Sequence, residues 1–187
     1  MILETIQKVK LYHILFQIDQ DLADQKRANA CPYCGDKLHT SNYIRKPRGG
    51  PESLSDELLI RHSFCCQSCR RRVLPVSCRF WDRKVYWGIV ILTLVTLQQG
   101  RVEGYSAGKL MRLFDVSRHT LKRWLTYFRK EFPLSDRWKR IQGYIGFECS
   151  PDQIPGAIVS LLIERARSVS KGLIASLHLL LGEEKMV

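Results

Sequence analysis

Apolar residues recur at helical spacing at both ends of the chain, and between those ends lie short apolar runs broken by glycine and proline. Leu11, Leu15, Ile18 and Leu22 follow one another at four, three and four residues, one face of an amphipathic helix. That pattern stops at the polar stretch Asp24-Gln25-Lys26-Arg27-Ala28-Asn29. Leu38 to Arg45 and Leu58 to Phe64 read as short strands, and Pro47, Gly49, Gly50 and Pro51 mark the loop between them. Val73-Leu74-Pro75-Val76 reads as a further strand that Pro75 either ends or confines to a sheet edge. From Lys84 the pattern turns helical: one helix to Gln99, stopped by Gly100, then Ser106 to Phe114 and Ser117 to Lys130, separated by Asp115 and Val116 alone. Two apolar helical patterns close the chain, one on Ile158, Leu161, Leu162 and Ala166, the other on Ile174, Leu177, Leu180 and Leu181. No repeat or low-complexity tract interrupts this order.

The apolar stretches contain no membrane span. The longest, Val85 to Leu97, has about thirteen residues, whereas a spanning helix needs about twenty. It reads as a buried core helix. With no targeting segment recognisable, the expected location is the cytoplasm, or the nucleoid for a protein on DNA.

Cysteine spacing changes the picture of the middle region. Cys31-Pro32-Tyr33-Cys34-Gly35 and Cys66-Gln67-Ser68-Cys69-Arg70 are two C-x-x-C turns. Each turn can aim two thiolates at one metal, and two such turns complete a tetrahedral four-cysteine zinc site. Redox chemistry of the thioredoxin kind needs a strand–C-x-x-C–helix context that neither pair has. Seven cysteines, an odd number, argue against a disulfide framework. The expectation is one structural Zn2+ on Cys31, Cys34, Cys66 and Cys69. Cys65 adjoins Cys66 and competes with it for the role; the two-residue gap to Cys69 assigns Cys66, and leaves Cys65 as a small apolar packing residue. Cys78 and Cys149 have no paired partner and read as structural, and four thiolates leave no need for His39 or His62.

The chain carries a formal charge of +12 over its 187 residues. Residues 1–30 are neutral and residues 148–187 sum to −1, while residues 31–83 carry +5 and residues 84–147 carry +8. A positive field confined to the middle attracts polyanions. Arg45, Lys46 and Arg48 place a basic, glycine-rich tip at the end of the strand pair, and Arg70, Arg71 and Arg72 follow the second cysteine pair.

The run Leu110 to Trp124 has the grammar of a DNA-binding helix-turn-helix. Leu110, Leu113 and Phe114 are the apolar positions of its first helix, Asp115 makes the turn, Val116 plugs the gap, and Ser117 is placed to cap the second helix. Leu121, Trp124 and Leu125 face inward at three- and four-residue spacing. Arg118, His119, Lys122 and Arg123 face out, all hydrogen-bond donors, as a helix entering a major groove requires. Asp115 stands where such turns usually have Gly; Asp tolerates the left-handed region better than most residues.

At these residues the chain resembles a known group. Val116-Ser117-Arg118-His119-Thr120-Leu121-Lys122-Arg123-Trp124 looks like the recognition segment of transposase and resolvase helix-turn-helix modules. The Cys31–Gly35 knuckle is similar to zinc ribbons that precede such modules in insertion-sequence transposases. Over about residues 30–130, including Arg45 to Pro51, Phe64-Cys65-Cys66 and Cys69 to Arg72, the chain resembles small bacterial zinc-ribbon/helix-turn-helix proteins linked to mobile elements. The resemblance implies duplex DNA as partner in a mobile-element or phage setting, alongside a transposase or another mobile-element protein. It supplies no catalytic domain.

The expected fold is α+β and mostly α: an N-terminal helix (1–29), an inserted four-cysteine zinc ribbon (30–80), a region containing the helix-turn-helix (81–147) and a C-terminal helical pair (148–187). No phosphate loop or H-E-x-x-H motif is present, and Asp115, Glu131, Asp136, Glu148 and Asp152 read as helix ends and surface groups rather than a catalytic triad. The expectation is a non-catalytic, sequence-specific DNA-binding protein, an accessory or regulatory factor. The alternative is an assembly adaptor that grips a protein or RNA partner through the ribbon and terminal helices.

Overall fold

The computed structural model describes residues 2–100, 106–145 and 149–181, with Tyr144 as backbone only; Glu148 lies outside the described residues. The chain is α+β and mostly helical with small sheets. Its helices are α1 (Ile2–Ile6), α2 (Val9–Ala28), α3 (Gly88–Gln99), α4 (Ala107–Leu113), α5 (Arg118–Thr126), α6 (Asp136–Ile145), α7 (Gly156–Ala166) and α8 (Val169–Leu181). Its strands are β1 (Leu38–Thr40), β2 (Tyr43–Ile44), β3 (Ile60–Arg61), β4 (Phe64–Cys66) and β5 (Arg72–Val73).

Helix α3 is the axis of the larger core. Every residue from Gly88 to Leu97 is buried, so it has apolar neighbours all round rather than on one stripe. Helices α1, α5, α7 and α8 pack around it. The expected start at Lys84 is too early, because Tyr86 and Trp87 form bridges before the helix begins: the Arg48 amide donates to the Val85 carbonyl (2.8 Å) and the Trp87 amide to that of Arg48 (3.3 Å). Helix α5 is also shorter than expected. After Thr126 the backbone widens into a π-turn at Tyr127–Glu131, which brings both Phe128 and Phe132 into the core. Helix α6 has no counterpart among the sequence expectations, although Trp138, Ile141 and Ile145 bury one face at helical spacing.

A second, smaller core holds Ala23, Cys31, Leu38, Phe64, Cys66 and Val73. Its sheet has the order β1-β4-β5, all antiparallel, with Leu38 opposite Cys66 and Phe64 opposite both Thr40 and Val73. The two long expected strands are each cut in two. Asn42 Oδ1 takes the Ser63 amide (3.0 Å) where a ladder bond would otherwise form, and β2 and β3 pair as a separate ribbon beyond that break.

The glycine-rich loop after β2 does not project. Gly49, at φ +82°, lies against Val90, where an added Cβ would come within 3.0 Å of the valine methyl, and Gly50 lies under the Trp87 indole. The loop is docked on α3. Arg45, expected as a DNA-contacting cation at its base, instead donates to the carbonyls of Asp82 (2.7 Å) and Lys84 (2.6 Å) and sits over the Phe80 ring.

One buried ion pair lies between the two cores. Asp19 and Arg79 are both fully buried, with Arg79 Nε 2.8 Å from Asp19 Oδ2. The Cys78 amide (2.6 Å) and the Ser77 hydroxyl complete the carboxylate, and the guanidinium also donates to the carbonyls of Leu58 (2.6 Å) and Ile60 (2.8 Å). The Phe16 and Phe80 rings flank it at 4.8 and 4.9 Å. Helix α2 therefore serves both cores: Leu11, Tyr12, Leu15 and Phe16 enter the large one, Asp19 holds the pair, and Ala23 enters the small one.

Candidate metal centre and nucleic-acid interface

The two C-x-x-C turns are built alike. In the first, the Cys31 amide donates to the Asp36 carbonyl (2.8 Å); in the second, the Cys66 amide donates to the Arg71 carbonyl (3.0 Å). The residue after each second cysteine is left-handed, Gly35 at φ +76° and Arg70 at φ 58°. This turns the backbone sharply enough to aim both thiols of a pair the same way. Asp36 bridges the turns, accepting from the Lys37 amide (2.7 Å) and the Ser68 hydroxyl, and the Ser68 bond is the main cause of its lowered pKa.

The sulfurs of Cys31, Cys34, Cys66 and Cys69 lie within 4.8 Å of one another. Cys31 and Cys69 are 3.7 Å apart, and Cys34 and Cys66 3.3 Å. A zinc ion with bonds of about 2.3 Å sets its sulfurs about 3.8 Å apart on a tetrahedron, so the cluster is compatible with one Zn2+. Strand alternation takes Cys65 away from this cluster: Phe64 and Cys66 turn into the small core, while Cys65 lies 3.6 Å from the Arg70 carbonyl on the other face. Cys78 is fully buried beside the Asp19–Arg79 pair.

Burial opposes ionisation of Cys66, but the amides of Cys69 and Ser68 and the neighbouring thiols point at its sulfur and bring it down to about 7. Cys69 goes the other way. The Arg71 amide favours its thiolate, yet burial and the three surrounding sulfurs outweigh that and push it up to about 12. Four clustered thiols cannot share several negative charges without a cation among them.

Helices α4 and α5 meet at a tight turn. Asp115 adopts φ 48°, and its carbonyl accepts the Tyr86 hydroxyl at 2.7 Å. Val116 is buried between the helices, and Ser117 Oγ accepts the Thr120 amide at 3.1 Å as the cap of α5. Leu121 and Trp124 face inward, Trp124 edge-on to Tyr86. Leu113 does not join them; it is 54% exposed, and half-buried Met111 packs against the core from that helix instead. Arg118, His119, Lys122 and Arg123 are all exposed. So are Lys46, Arg48, Arg70, Arg71 and Arg72, with Arg71 over the Tyr33 ring (4.8 Å) and Arg72 over Tyr43 (5.4 Å). Of the basic positions singled out in the sequence, Arg45 is the one whose guanidinium is committed to backbone carbonyls among the described residues. Reading the sequence missed Arg83 and Lys84, which adjoin α5; their only sequence signal is two cations before an apolar run.

Among known proteins, no family model, no curated protein and no solved structure matches the chain. No helix among the described residues is long and apolar enough to cross a membrane.

Proposed function

We propose that the chain is a non-catalytic, zinc-containing protein that binds duplex DNA in a sequence-specific way, with α4 and α5 as a helix-turn-helix and the cysteine module as a zinc ribbon. The observation that carries this is the α4–α5 turn: a left-handed Asp115, a buried Val116, a capping Ser117 and an outer face made of Arg118, His119, Lys122 and Arg123. Exposed donors at the start of a helix suit base edges in a major groove. The resemblance to mobile-element proteins supports an accessory or regulatory role beside a transposase or another mobile-element protein.

Selection of bound duplexes from a random library tests the proposal. A defined site is expected, and Arg118→Ala then costs about 1–3 kcal/mol on that site and relaxes one base pair, with little change on a scrambled duplex. Recovery of no preferred sequence sinks it.

The adaptor reading has one observation in its favour, an apolar groove of about 440 Å3 between α2 and the α7–α8 pair, with Ile18, Leu162, Ile174 and Leu179 in its wall. Equal binding to any duplex or RNA would favour that reading.

A further inference from the structure

Helix α5 does not stand free. The segment Asp82–Tyr86 faces it across an open cleft of about 590 Å3. One wall carries Arg83 and Lys84, the other His119, Lys122 and Arg123, and all five are exposed. Asp82 and Glu131 are the only acids in the lining, and no ion pair to any of the five is present among the described residues. On the far side of the same segment lies a second basic cleft of about 570 Å3, which shares Arg83 and Lys84 and adds Arg137. The Arg83–Lys84 turn is thus a ridge between two positive clefts.

The turn is held from beneath. Arg45 clamps the carbonyls on both sides of Arg83, the Lys84 amide returns to the Trp81 carbonyl (2.9 Å), and Asp82 is left-handed at φ 47°. A cleft lined by charges of one sign focuses the field between its walls and draws anions into it. A helix lying in a major groove about 12 Å wide has a phosphate strand along each side. A second basic wall beside α5 stands where one of those strands runs. Arg118 is not part of the cleft lining, so the outer face of α5 divides into a cleft side and an open side.

We propose that this cleft receives the sugar-phosphate backbone of one strand of duplex DNA, gripped by Arg83, Lys84, Lys122 and Arg123, and that Arg45 is a positioning residue that holds the turn in place. This rests on the helix-turn-helix reading for the placement of the duplex. It leaves the open side of α5, with Arg118, for the bases.

The test is binding of the zinc-loaded full chain to a selected duplex, a scrambled duplex and a single-stranded RNA of equal length, between about 50 and 200 mM salt. The double variant Arg83→Ala/Lys84→Ala is expected to lower the salt slope by about 2, at about 0.9 per lost phosphate contact, equally on both duplexes. Arg83→Lys/Lys84→Arg, which keeps both charges, retains the slope. Arg45→Ala alone lowers it, and in the double-variant background adds nothing, because Arg45 acts through the turn. An unchanged slope in the double variant, a loss confined to the selected duplex, or a larger loss on RNA than on duplex overturns the cleft assignment. A further loss on adding Arg45→Ala overturns the positioning role. If the wild type prefers no sequence but the slope still drops by about 2, the helix-turn-helix reading fails and the cleft survives.

Discussion

The large core gathers all four tryptophans, Trp81, Trp87, Trp124 and Trp138, around a helix buried on every side. Among the described residues, the small core has Leu38, Phe64 and Val73 as its large apolar side chains, and two of its other members are cysteines. Burying three such residues cannot offset the ordering of the module around them. The difference teaches where each region gets its stability. The helical body is held by burial, which is spread over many contacts. The cysteine module depends on a few groups of high individual weight: the sulfur cluster and the polar contacts at its border.

Removing a ligand is the largest break in that comparison. Structural zinc is worth about 10–16 kcal/mol in apparent terms. Cys34→Ser is expected to release the metal and unfold the small core around β1, β4 and β5, read as loss of amide protection there while α3, α7 and α8 keep theirs. Cys65→Ser, on the opposite face of β4, leaves metal content unchanged. Simultaneous loss of protection in α3 would show that the two regions do not differ in this way, and full metal retention in Cys34→Ser would remove the cluster from the account.

Asp19→Asn comes next. It keeps the shape of the side chain and strands a buried guanidinium, which costs about 3–5 kcal/mol when one partner of such a pair is removed. Because Asp19 sits on α2 between residues of the two cores, the loss falls on both regions in denaturant unfolding of the zinc-loaded protein. A cost below about 1 kcal/mol, the value of an exposed pair, would mean the junction contributes little.

What was legible in the sequence and what was not follows the range of the interactions. The C-x-x-C turns and the Ser117 cap are set by residues a few positions apart, so their spacing announces them. The buried Asp19–Arg79 pair joins positions 60 residues apart, and nothing local to either marks it. Arg45 reads as part of a basic, DNA-contacting tip because its carbonyl partners lie 37 and 39 residues away. The glycine-rich loop read as a projecting tip for the same reason: Val90 and Trp87, which the glycines approach, belong to another element. Helix α6 differs, since Trp138, Ile141 and Ile145 bury one face at helical spacing and the pattern is local.

A smaller effect sharpens the contrast within the module. Arg70 occupies the left-handed position that Gly35 fills in the other turn. A side chain there costs about 1–2 kcal/mol, and glycine returns about 0.5–1 of that in chain freedom, so Arg70→Gly is expected to stabilise the zinc-loaded module by about 0.5–1 kcal/mol. If Arg70 also touches phosphate, the salt slope for DNA falls by about 0.9 at the same time. Opposite signs for stability and affinity would separate fold from function at one residue. A destabilised variant would show that the guanidinium supports the turn.

The smallest expected effect concerns His62, half-buried at the same border, 5.8 Å from the Phe16 ring and with a buried Nε2 that has no hydrogen-bond partner among the described residues. Burial first, and then the positive charge of Arg79, lower its pKa below the usual value of about 6.5. Arg61 adds to that lowering, while Asp19 and Asp24 oppose it. The folded protein therefore keeps the ring neutral where the unfolded chain protonates it. The associated stability is fully present above about pH 6.5 and declines as the pH falls below it, because the unfolded state then binds more protons. His62→Gln should flatten that part of the profile, measured by denaturant unfolding between about pH 7.5 and 5.5 at constant, full metal content. Metal loss on acidification would act through the cysteines and appear in both proteins alike. Identical profiles for wild type and variant would confine the acid sensitivity of the module to its thiolates, and the border would then contribute through Asp19 and Arg79 alone.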